Sequence, residues 1–373
     1  NNDVLHKEND LYFGNIPNKF SDAGLSSETV FINHVGLKHD MILNAMKKGH
    51  SEKIILSKSL SFIEEIKIFF AQIRESFRLK KSNGKNNLHT RVFNEAAVQV
   101  FSNHTANNLR LKIQISKLIK HIKPKFVVTT LEGHAWERLI FSGVRKFDSK
   151  IKLVGYQHAL INRQHSIYRS LGENFDPDII ATSGKFNLEK LDTKIKNKKI
   201  IKIDIGSAKK SKRSKSKSFE MNIKTVLCLV LADGDIKNCV NMLIFASNLA
   251  NENSTVDFLF RLHPSTDKSS LIRKNQTLAK LSSNISWSKS SLENDLEQSN
   301  FALYRGSNAI YEAASYNVMP IFFDTSESMD FDPLLDIANN RPSISNVDQF
   351  FEILQQLNTK KYRIKIKEIL KYC

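Results

Sequence analysis

The sequence predicts an α/β protein with two domains, each built on a parallel β-sheet that helices cover. Short runs of β-branched or aromatic residues alternate with longer helical patterns along the chain, which is typical of parallel α/β units. The 373 residues exceed the length at which a single hydrophobic core usually keeps growing. A polar, basic segment at 207–218 separates two halves that each show the alternation.

The first half contains seven candidate strands and two long helical stretches. Strands are predicted at 10–14, 29–34, 53–56, 125–130, 152–157, 178–182 and 199–204, and helices at 60–79 and 91–122. After the strand at 125–130, apolar residues recur at helical spacing and predict one buried stripe: Trp136, Leu139, Ile140 and Val144.

The second half repeats the pattern with five candidate strands, at 224–231, 256–261, 285–287, 301–304 and 319–323, followed by a helical tail from Val347. These elements predict an acceptor-binding domain at 1–206 and a nucleotide-binding domain at 219–345. Helices in the segment 346–373 are expected to brace the two domains.

The segment 207–218, SAKKSKRSKSKS, has six basic residues and no acidic one. It cannot contribute to a core and predicts a linker or a mobile loop. Alternatively it forms a basic patch that contacts anionic lipid or polymer. Nucleic acid is not expected as a partner, because no aromatic residues interleave the charges for base stacking.

Composition favours an anionic partner without identifying it. The formal net charge is +18, whereas the hydrophobic content of 41% and the charged content of 25% are ordinary for a globular protein. The three cysteines, Cys228, Cys239 and Cys373, show no CxxC spacing, which argues against a disulfide framework and favours a reducing compartment. No apolar run reaches the length of a membrane span, and the first residues lack a signal-peptide core, so a cytoplasmic protein is expected.

The clearest candidate site in the second half is the segment FLFRLHPS at 258–265. A predicted strand ends at Arg261, and His263 and Pro264 follow in the turn beyond its carboxyl end, where ligands bind in open α/β sheets. Guanidinium and imidazole groups suit a phosphate. The alternative is a solvent-exposed His-Pro turn.

A second segment, RGSNAIYEAAS, follows the strand predicted at 301–304 and begins with Arg305. Gly306 permits a close backbone approach, and Ser307 or Asn308 is expected to cap a helix that begins near Ala309. The N-terminus of such a helix binds phosphate. Glu312, one turn into the helix, could accept hydrogen bonds from ribose hydroxyls or simply face solvent.

The turn after the strand at 224–231 reads ADGD, and Gly234 within it is predicted to offer a backbone contact to the same ligand. Asp233 and Asp235 could suggest a metal ion, but the sequence around them lacks converging carboxylates. We expect no bound metal.

In the first half, the strand at 125–130 leads into Glu132 and Gly133. Glu132 is thus predicted at the carboxyl end of a strand, where it could act as a general base. His134 and Glu137 are neighbours that could take this role, and Glu132 could instead only cap the following helix.

Further polar residues follow other predicted strands of the first half. Gln157 and His158 end the strand at 152–157 and precede a polar loop at 162–165. With them, the candidate acceptor contacts are Gly14, Asn15, His34, Gln157, His158 and Lys185.

The R-x-H-P segment at 261–264, followed by a strand, a polar turn and a helix containing Glu312, resembles the donor domain of GT-B glycosyltransferases. More narrowly it is similar to bacterial sialyltransferases and Kdo transferases, whose HP motif holds the CMP of the donor. CDP-glycerol polymer transferases and UDP-sugar 2-epimerases share related features. The resemblance implies a GT-B-like α/β fold with two Rossmann-like domains facing a central cleft.

The resemblance also implies an activity: metal-independent, inverting transfer of a sialic-acid-like sugar or Kdo from a CMP-activated donor. No cofactor beyond that nucleotide sugar is implied. The acceptor would be a hydroxyl of a surface glycan such as capsule or lipopolysaccharide, carried on a lipid, which suits a protein in peripheral contact with an anionic membrane.

Residue roles carry over with one departure. Bacterial sialyltransferases have an acidic-acidic-glycine motif that supplies the catalytic base, and Leu131-Glu132-Gly133 matches only its second acid and glycine. Glu132 would be the base, while Arg261, His263 and the helix start at 307–308 would stabilise the departing phosphate.

Three other functions fit parts of the pattern. A CDP-linked polyol-phosphate transferase would share His263 but form a phosphodiester. A nucleotide-sugar 2-epimerase would need acidic groups on both sides of the sugar and no second substrate. A non-enzymatic nucleic-acid or anionic-surface binder would explain the charge but not the residues at the strand ends.

Overall fold

The computed structural model describes residues 12–32, 53–56, 59–82, 87–159, 161, 166–207, 226–264, 266–325, 332–335 and 341–356. The chain divides into two compact units, Asn1–Lys210 and Ser211–Cys373. Both contain parallel sheets with helices, so the α/β prediction is confirmed. The division falls inside the segment predicted to link two domains, and the functions assigned to those domains stay predictions.

The first unit has six described helices and six described strands. The helices are α1 (Ile16–Asp22), α2 (Phe62–Lys81), α3 (Asn87–Gln99), α4 (Asn103–Ile122), α5 (Ala135–Phe147) and α6 (Lys185–Lys194), and the strands are β1 (Thr29–Ile32), β2 (Lys53–Leu56), β3 (Phe126–Thr130), β4 (Lys152–Gln157), β5 (Ile179–Thr182) and β6 (Ile201–Asp204). A short 3₁₀ turn lies at Ser166–Tyr168.

Four strands of the first unit form a parallel sheet in the order β3-β4-β5-β6, and β1 pairs with β2 in a separate parallel pair. All carboxyl ends of a parallel sheet lie at one edge, so the loops after β3, β4 and β5 are neighbours there. The sheet core is closed by α4, which buries Leu111, Ile115 and Ile119 at helical spacing, and by α5, which buries Ile140 and Phe141.

Two predictions for the first half were wrong in detail. The helical stretch predicted at 91–122 is two helices, because the chain turns at 100–102 and the Ser102 hydroxyl accepts a hydrogen bond from the Thr105 N–H, 3.3 Å away, to cap α4. In the strand predicted at 10–14, Tyr12 and Phe13 form a turn, and only Gly14 makes a bridge. Residues 10 and 11 lie outside the described residues.

The second unit has five described helices and six described strands. The helices are α7 (Ile236–Glu252), α8 (Lys268–Lys274), α9 (Leu292–Gln298), α10 (Ala309–Ser315) and α11 (Val347–Gln356), and the strands are β7 (Val226–Leu231), β8 (Val256–Arg261), β9 (Ile285–Trp287), β10 (Phe301–Tyr304), β11 (Met319–Phe323) and β12 (Ser343–Ile344). A 3₁₀ turn lies at Gln276–Ala279.

All six strands of the second unit pair in parallel in the order β12-β11-β10-β7-β8-β9. The central strands are buried on both faces, as the continuous apolar run of β7 predicts. Cys228 and Cys239 lie buried in this core as free thiols. The sequence pattern missed β12, because two residues are too short to show a period.

The helix predicted after Val347 is present as α11. Its Phe350 and Ile353 pack into the core of the second unit, and the Phe350 ring lies 6.0 Å from that of Phe258. Its predicted role in bracing two domains stays a prediction, and residues 357–373 lie outside the described residues.

A buried ion pair ties α5 to the segment before β5. Nη1 of Arg138 donates to Oδ1 of Asp176 at 2.7 Å, and Nη2 donates to the Arg169 carbonyl at 3.1 Å. Asp176 also accepts hydrogen bonds from the Ser170 hydroxyl and from the N–H groups of Leu171 and Gly172. Every charge buried here has a partner, so removing one partner leaves the other uncompensated.

We therefore expect Arg138→Met to destabilise the first unit by about 3–5 kcal/mol, the usual cost of breaking a buried pair. Chemical denaturation monitored by circular dichroism measures the loss. The control, Lys199→Met, removes an exposed partner of Glu173 and should change the transition little. Equal effects of the two substitutions would contradict a structural role for the buried pair.

Candidate functional site

The loop between β3 and α5 is folded around the carboxylate of Glu137, which is fully buried. This carboxylate accepts hydrogen bonds from the backbone N–H groups of Glu132, Gly133 and His134 at 2.8–3.0 Å, and from the Thr130 hydroxyl at 3.2 Å. Gly133 adopts φ +89°, a conformation that favours glycine. Burial raises the pKa of Glu137, and the backbone donors oppose that rise.

The folded loop places Glu132 between two histidines. Oε2 of Glu132 lies 3.1 Å from Nε2 of His134, and Oε1 lies 3.0 Å from Nε2 of His158. Hydrogen bonding to His158 and, to a smaller extent, to His134 lowers the pKa of Glu132 to about 2, against the opposing effect of burial. Glu132 is therefore an ionised carboxylate that orients both rings.

The two histidines differ in access to solvent. The His134 side chain is 55% exposed and its ring stacks near Trp136. His158 is largely covered: the Tyr12 ring meets it edge-on at 5.1 Å, and the Tyr156 ring lies 6.1 Å away. Its Nδ1 atom is buried and has no hydrogen-bond partner among the described residues. His134 is thus the most exposed side chain of the cluster.

The other candidate acceptor residues occupy different surroundings. Gln157 is buried, and its amide oxygen has no partner among the described residues. Gly14 is buried beside the Phe13 ring, which stacks on Tyr156. Asn15 is the N-cap residue of α1 and makes no side-chain cap hydrogen bond. Lys185 is exposed and lies 3.8 Å from Glu189. His34 and the loop at 162–165 lie outside the described residues.

In the second unit, three loops meet at the carboxyl edge of the neighbouring strands β8, β7 and β10. Gly234, after β7, lies against the His263 ring, since a Cβ on this glycine would come within 3.4 Å of Nδ1. Gly306, after β10, has φ +72°, and a Cβ there would lie 2.8 Å from a carboxylate oxygen of Asp233. The structure therefore brings three of the predicted donor-binding loops together, with His263 exposed among them.

Arg261, at the end of β8, contacts α9 and the segment before that helix. Its Nη1 donates to Oδ2 of the buried Asp295 at 2.6 Å and to the Ser290 carbonyl at 2.9 Å. The Ser288 hydroxyl donates a hydrogen bond to the same Asp295 oxygen at 2.5 Å. The guanidinium thus neutralises a buried carboxylate of α9, and its predicted contact with the donor stays a prediction.

Arg305 is also engaged within the second unit, and its predicted contact with the donor stays a prediction. It is 1% exposed, and its Nη1 donates to the Phe323 carbonyl at 2.9 Å while the guanidinium lies over the Phe322 ring. These contacts tie the end of β10 to β11.

The helix expected near Ala309 is α10, which begins at Ala309 but has seven residues. Neither of the expected caps forms as predicted: Asn308 is the N-cap residue without a side-chain hydrogen bond, and the Ser307 carbonyl accepts the Ile310 N–H at 3.3 Å. Asn308 and Glu312 are exposed, as is Pro264. The Ser307 and Asn308 side chains are thus not used as helix caps.

The sequence analysis did not assign their structural roles to two residues that organise these sites. Glu137 was considered only as an alternative base, yet it is the buried acceptor that shapes the loop, and an E at the third position of a helix after a polar residue could have indicated this capping role. Asp295 had no signal, because its partner Arg261 is 34 residues away in sequence.

Neither a metal site nor a membrane span occurs among the described residues. They contain no group of three or more histidine, cysteine, aspartate or glutamate side chains that could hold a metal ion. No helix within them is long and apolar enough to cross a bilayer.

Comparison with known proteins gives matches in structure alone. No family model matches the sequence, and no curated protein does. The kitacinnamycin glycosyltransferase superposes with a TM-score of 0.57 at 9% identity, over 95% of this chain and 88% of that one. The calicheamicin glycosyltransferase CalG4 gives 0.54 at 9% identity, over 95% and 88%.

A putative UDP-N-acetylglucosamine 2-epimerase from Listeria monocytogenes gives a TM-score of 0.52 at 11% identity, over 95% of this chain and 85% of that one. These neighbours are GT-B glycosyltransferases and epimerases of two Rossmann-like domains. At such identities the likeness establishes the fold. The predicted GT-B-like architecture of two Rossmann-like units is confirmed.

Proposed function

We propose that this protein is a glycosyltransferase that moves a sugar from a nucleotide-activated donor to a hydroxyl of a glycan. The observation that supports this most is the meeting of the loops that hold Gly234, His263 and Gly306 at the carboxyl edge of a GT-B-type sheet. Ligands of open α/β sheets bind at such an edge. Gly306 allows the Asp233 carboxylate to approach the loop after β10, and Gly234 allows the His263 ring to pack against the loop after β7. The exposed imidazole can donate a hydrogen bond to a phosphate.

The donor we propose is CMP-activated, carrying a sialic-acid-like sugar or Kdo, on the strength of the R-x-H-P segment at 261–264. The structural neighbours include a putative epimerase named for a UDP sugar, so a UDP-linked donor or a 2-epimerase activity is the second candidate. We propose a lipid-linked surface glycan as acceptor, since the net charge of +18 suits a protein working at an anionic membrane.

Acceptor activation is proposed for the first unit. A carboxylate with a pKa of about 2 is a weak base, so Glu132 alone suits proton abstraction poorly. His134 is exposed and its Nε2 lies 3.1 Å from a carboxylate oxygen of Glu132, so its imidazole is the group that we propose as the proton acceptor. In this scheme the acceptor O–H proton passes to His134, and Glu132 stabilises the resulting imidazolium.

The remaining steps conserve atoms and charge. The acceptor oxygen forms a bond to the anomeric carbon with inversion, while the bond from that carbon to the phosphate oxygen breaks. The nucleotide leaves with the electron pair, and His263 with the backbone N–H groups near Gly306 stabilises its charge. Positioning and leaving-group stabilisation supply most of the acceleration, since a general base contributes typically about 10²–10⁴-fold.

The donor is tested by thermal shift with CMP, CDP, UDP and GDP. We expect CMP to raise the melting temperature most, because a ligand that binds only the folded state stabilises it. His263→Ala should reduce this shift without lowering the melting temperature of the free protein, since the side chain is exposed. The control, His104→Ala on α4, should leave the shift unchanged.

Selective stabilisation by UDP would replace the CMP donor with a UDP sugar, and incubation with UDP-sugar alone would then distinguish epimerisation from transfer. Selective stabilisation by CDP would favour polyol-phosphate transfer. If CMP raises the melting temperature of His263→Ala as much as that of the wild type, His263 has no role in donor binding.

The proton acceptor is tested with Glu132→Gln and His134→Ala. Both should lower kcat by about two orders of magnitude or more, the scale of general-base removal, with donor affinity nearly unchanged. Glu132 stays ionised far below neutral pH, so a rate that falls on acidification from about pH 8 to pH 5 reports another group. If His134→Ala keeps full turnover while Glu132→Gln loses it, Glu132 itself is the base. If Glu132→Gln keeps full turnover, Glu132 has only a structural role.

Glu137 is expected to act through position rather than chemistry. Glu137→Gln replaces one acceptor oxygen by an NH₂ group that faces backbone donors, so we expect a loss of about 1–3 kcal/mol in stability together with a fall in kcat. Glu132→Gln should instead lower kcat with little loss of stability. Denaturation and steady-state kinetics separate the two, with the exposed Glu95→Gln as control. Normal stability in Glu137→Gln would contradict the structural role.

A further inference from the structure

Helix α2 presents an apolar face that no other described part of the chain covers. Four of its phenylalanines are more than half exposed: Phe62 at 80%, Phe69 at 54%, Phe70 at 63% and Phe77 at 62%. Ile63 and Ile66 on the same helix are exposed as well. Large apolar side chains are common singly on a protein surface, but a contiguous group of this size indicates a binding surface.

This face is separate from the one by which α2 packs on its own unit. The inner side buries Ile68, Gln72 and Ser76, spaced four residues apart. There, Gln72 Nε2 donates to the Val100 carbonyl at 2.6 Å, and the Ser76 hydroxyl donates to the Ala97 carbonyl at 2.9 Å. At 100° per residue, the exposed phenylalanines lie on another side of the helix. The core of the unit is therefore complete without them.

Exposed cations border the apolar face. Lys67, Arg74 and Arg78 follow one another at intervals of seven and four residues along one edge, and Lys80 and Lys81 lie at its end. The acidic residues of α2 are already paired: Glu64 with Lys117, Glu65 with Arg110, and Glu75 with Arg78. The surface around the phenylalanines thus keeps an excess of positive charge.

We propose that this face of α2 is the surface by which the protein docks on an anionic lipid bilayer. A helix with exposed phenylalanines on one side and flanking lysines and arginines lies in the membrane interface, with its rings among the acyl chains and its cations near the phosphates. A second copy fits less well, because joining two such faces would bring their unpaired cations together. The inference is independent of the proposed glycosyltransferase activity.

The proposal is tested with the full chain and vesicles of phosphatidylcholine, alone or with about a third of phosphatidylserine. Sedimentation should show binding to the anionic vesicles, weaker at high salt, and little to the neutral ones. Replacing Phe62, Phe69, Phe70 and Phe77 by Ser should weaken binding at least tenfold. Lys67→Gln and Arg74→Gln should each weaken it about fivefold.

Controls separate this surface from others. Phe126→Ser with Phe147→Ser removes two exposed phenylalanines elsewhere in the unit and should leave binding unchanged, and circular dichroism verifies the fold of every variant. In Phe70→Trp, brominated acyl chains should quench the new tryptophan beyond the quenching seen in the wild type.

Three results would overturn the proposal. One is undiminished vesicle binding in the fourfold Ser variant. Another is loss of binding only when the six basic residues of 207–218 are replaced by Ser. The third is a wild-type dimer that binds no vesicles and becomes a monomer on substitution of the phenylalanines, measured by analytical ultracentrifugation. Turnover on a water-soluble acceptor should be unchanged in the Ser variant, so failure of the docking proposal is distinguishable from failure of the proposed activity.

Discussion

The arrangement of the candidate site depends on one buried carboxylate. Glu137 collects three consecutive backbone N–H groups from the loop that precedes its own helix, and so holds an internal anion where an α/β loop often binds an external one. The consequence is a loop of fixed shape that points the neighbouring Glu132 toward His134 and His158. A polar group that is expensive to bury unless it is satisfied thereby determines where the reactive groups of the first unit lie.

The second unit also contains a buried carboxylate whose hydrogen-bond partners come from a neighbouring element. Asp295 on α9 is compensated by Arg261 at the end of β8, so an arginine that follows a strand serves the fold. At the neighbouring edge, Gly234 and Gly306 lack side chains and so allow the His263 ring and the Asp233 carboxylate to approach closely. Charged residues close to a strand end therefore divide into those that stabilise the sheet and those that remain accessible to a ligand.

The outer surface of the first unit follows a different constraint. In α2 the acidic side chains are used in ion pairs while the phenylalanines remain exposed, so apolar area and positive charge occur together. Apolar area and an excess of positive charge therefore lie side by side on one described helix. An acceptor carried on a lipid would be presented at the same membrane surface that we propose for α2.

The sequence by itself determined the α/β class, nearly all the strands and the polar residues that follow them, because period and composition are local properties. It also indicated that Gly234, His263 and Gly306 belong to one edge, since parallel strands end together. Only the tertiary structure decided which of the predicted site residues are used within the fold. Arg261 and Arg305 are engaged by Asp295 and by the Phe323 carbonyl, and such pairings join residues far apart in sequence. Packing likewise decided the break at Ser102 and the exposure of the α2 phenylalanines. Apolar residues at helical spacing give the same sequence pattern whether or not another element covers them.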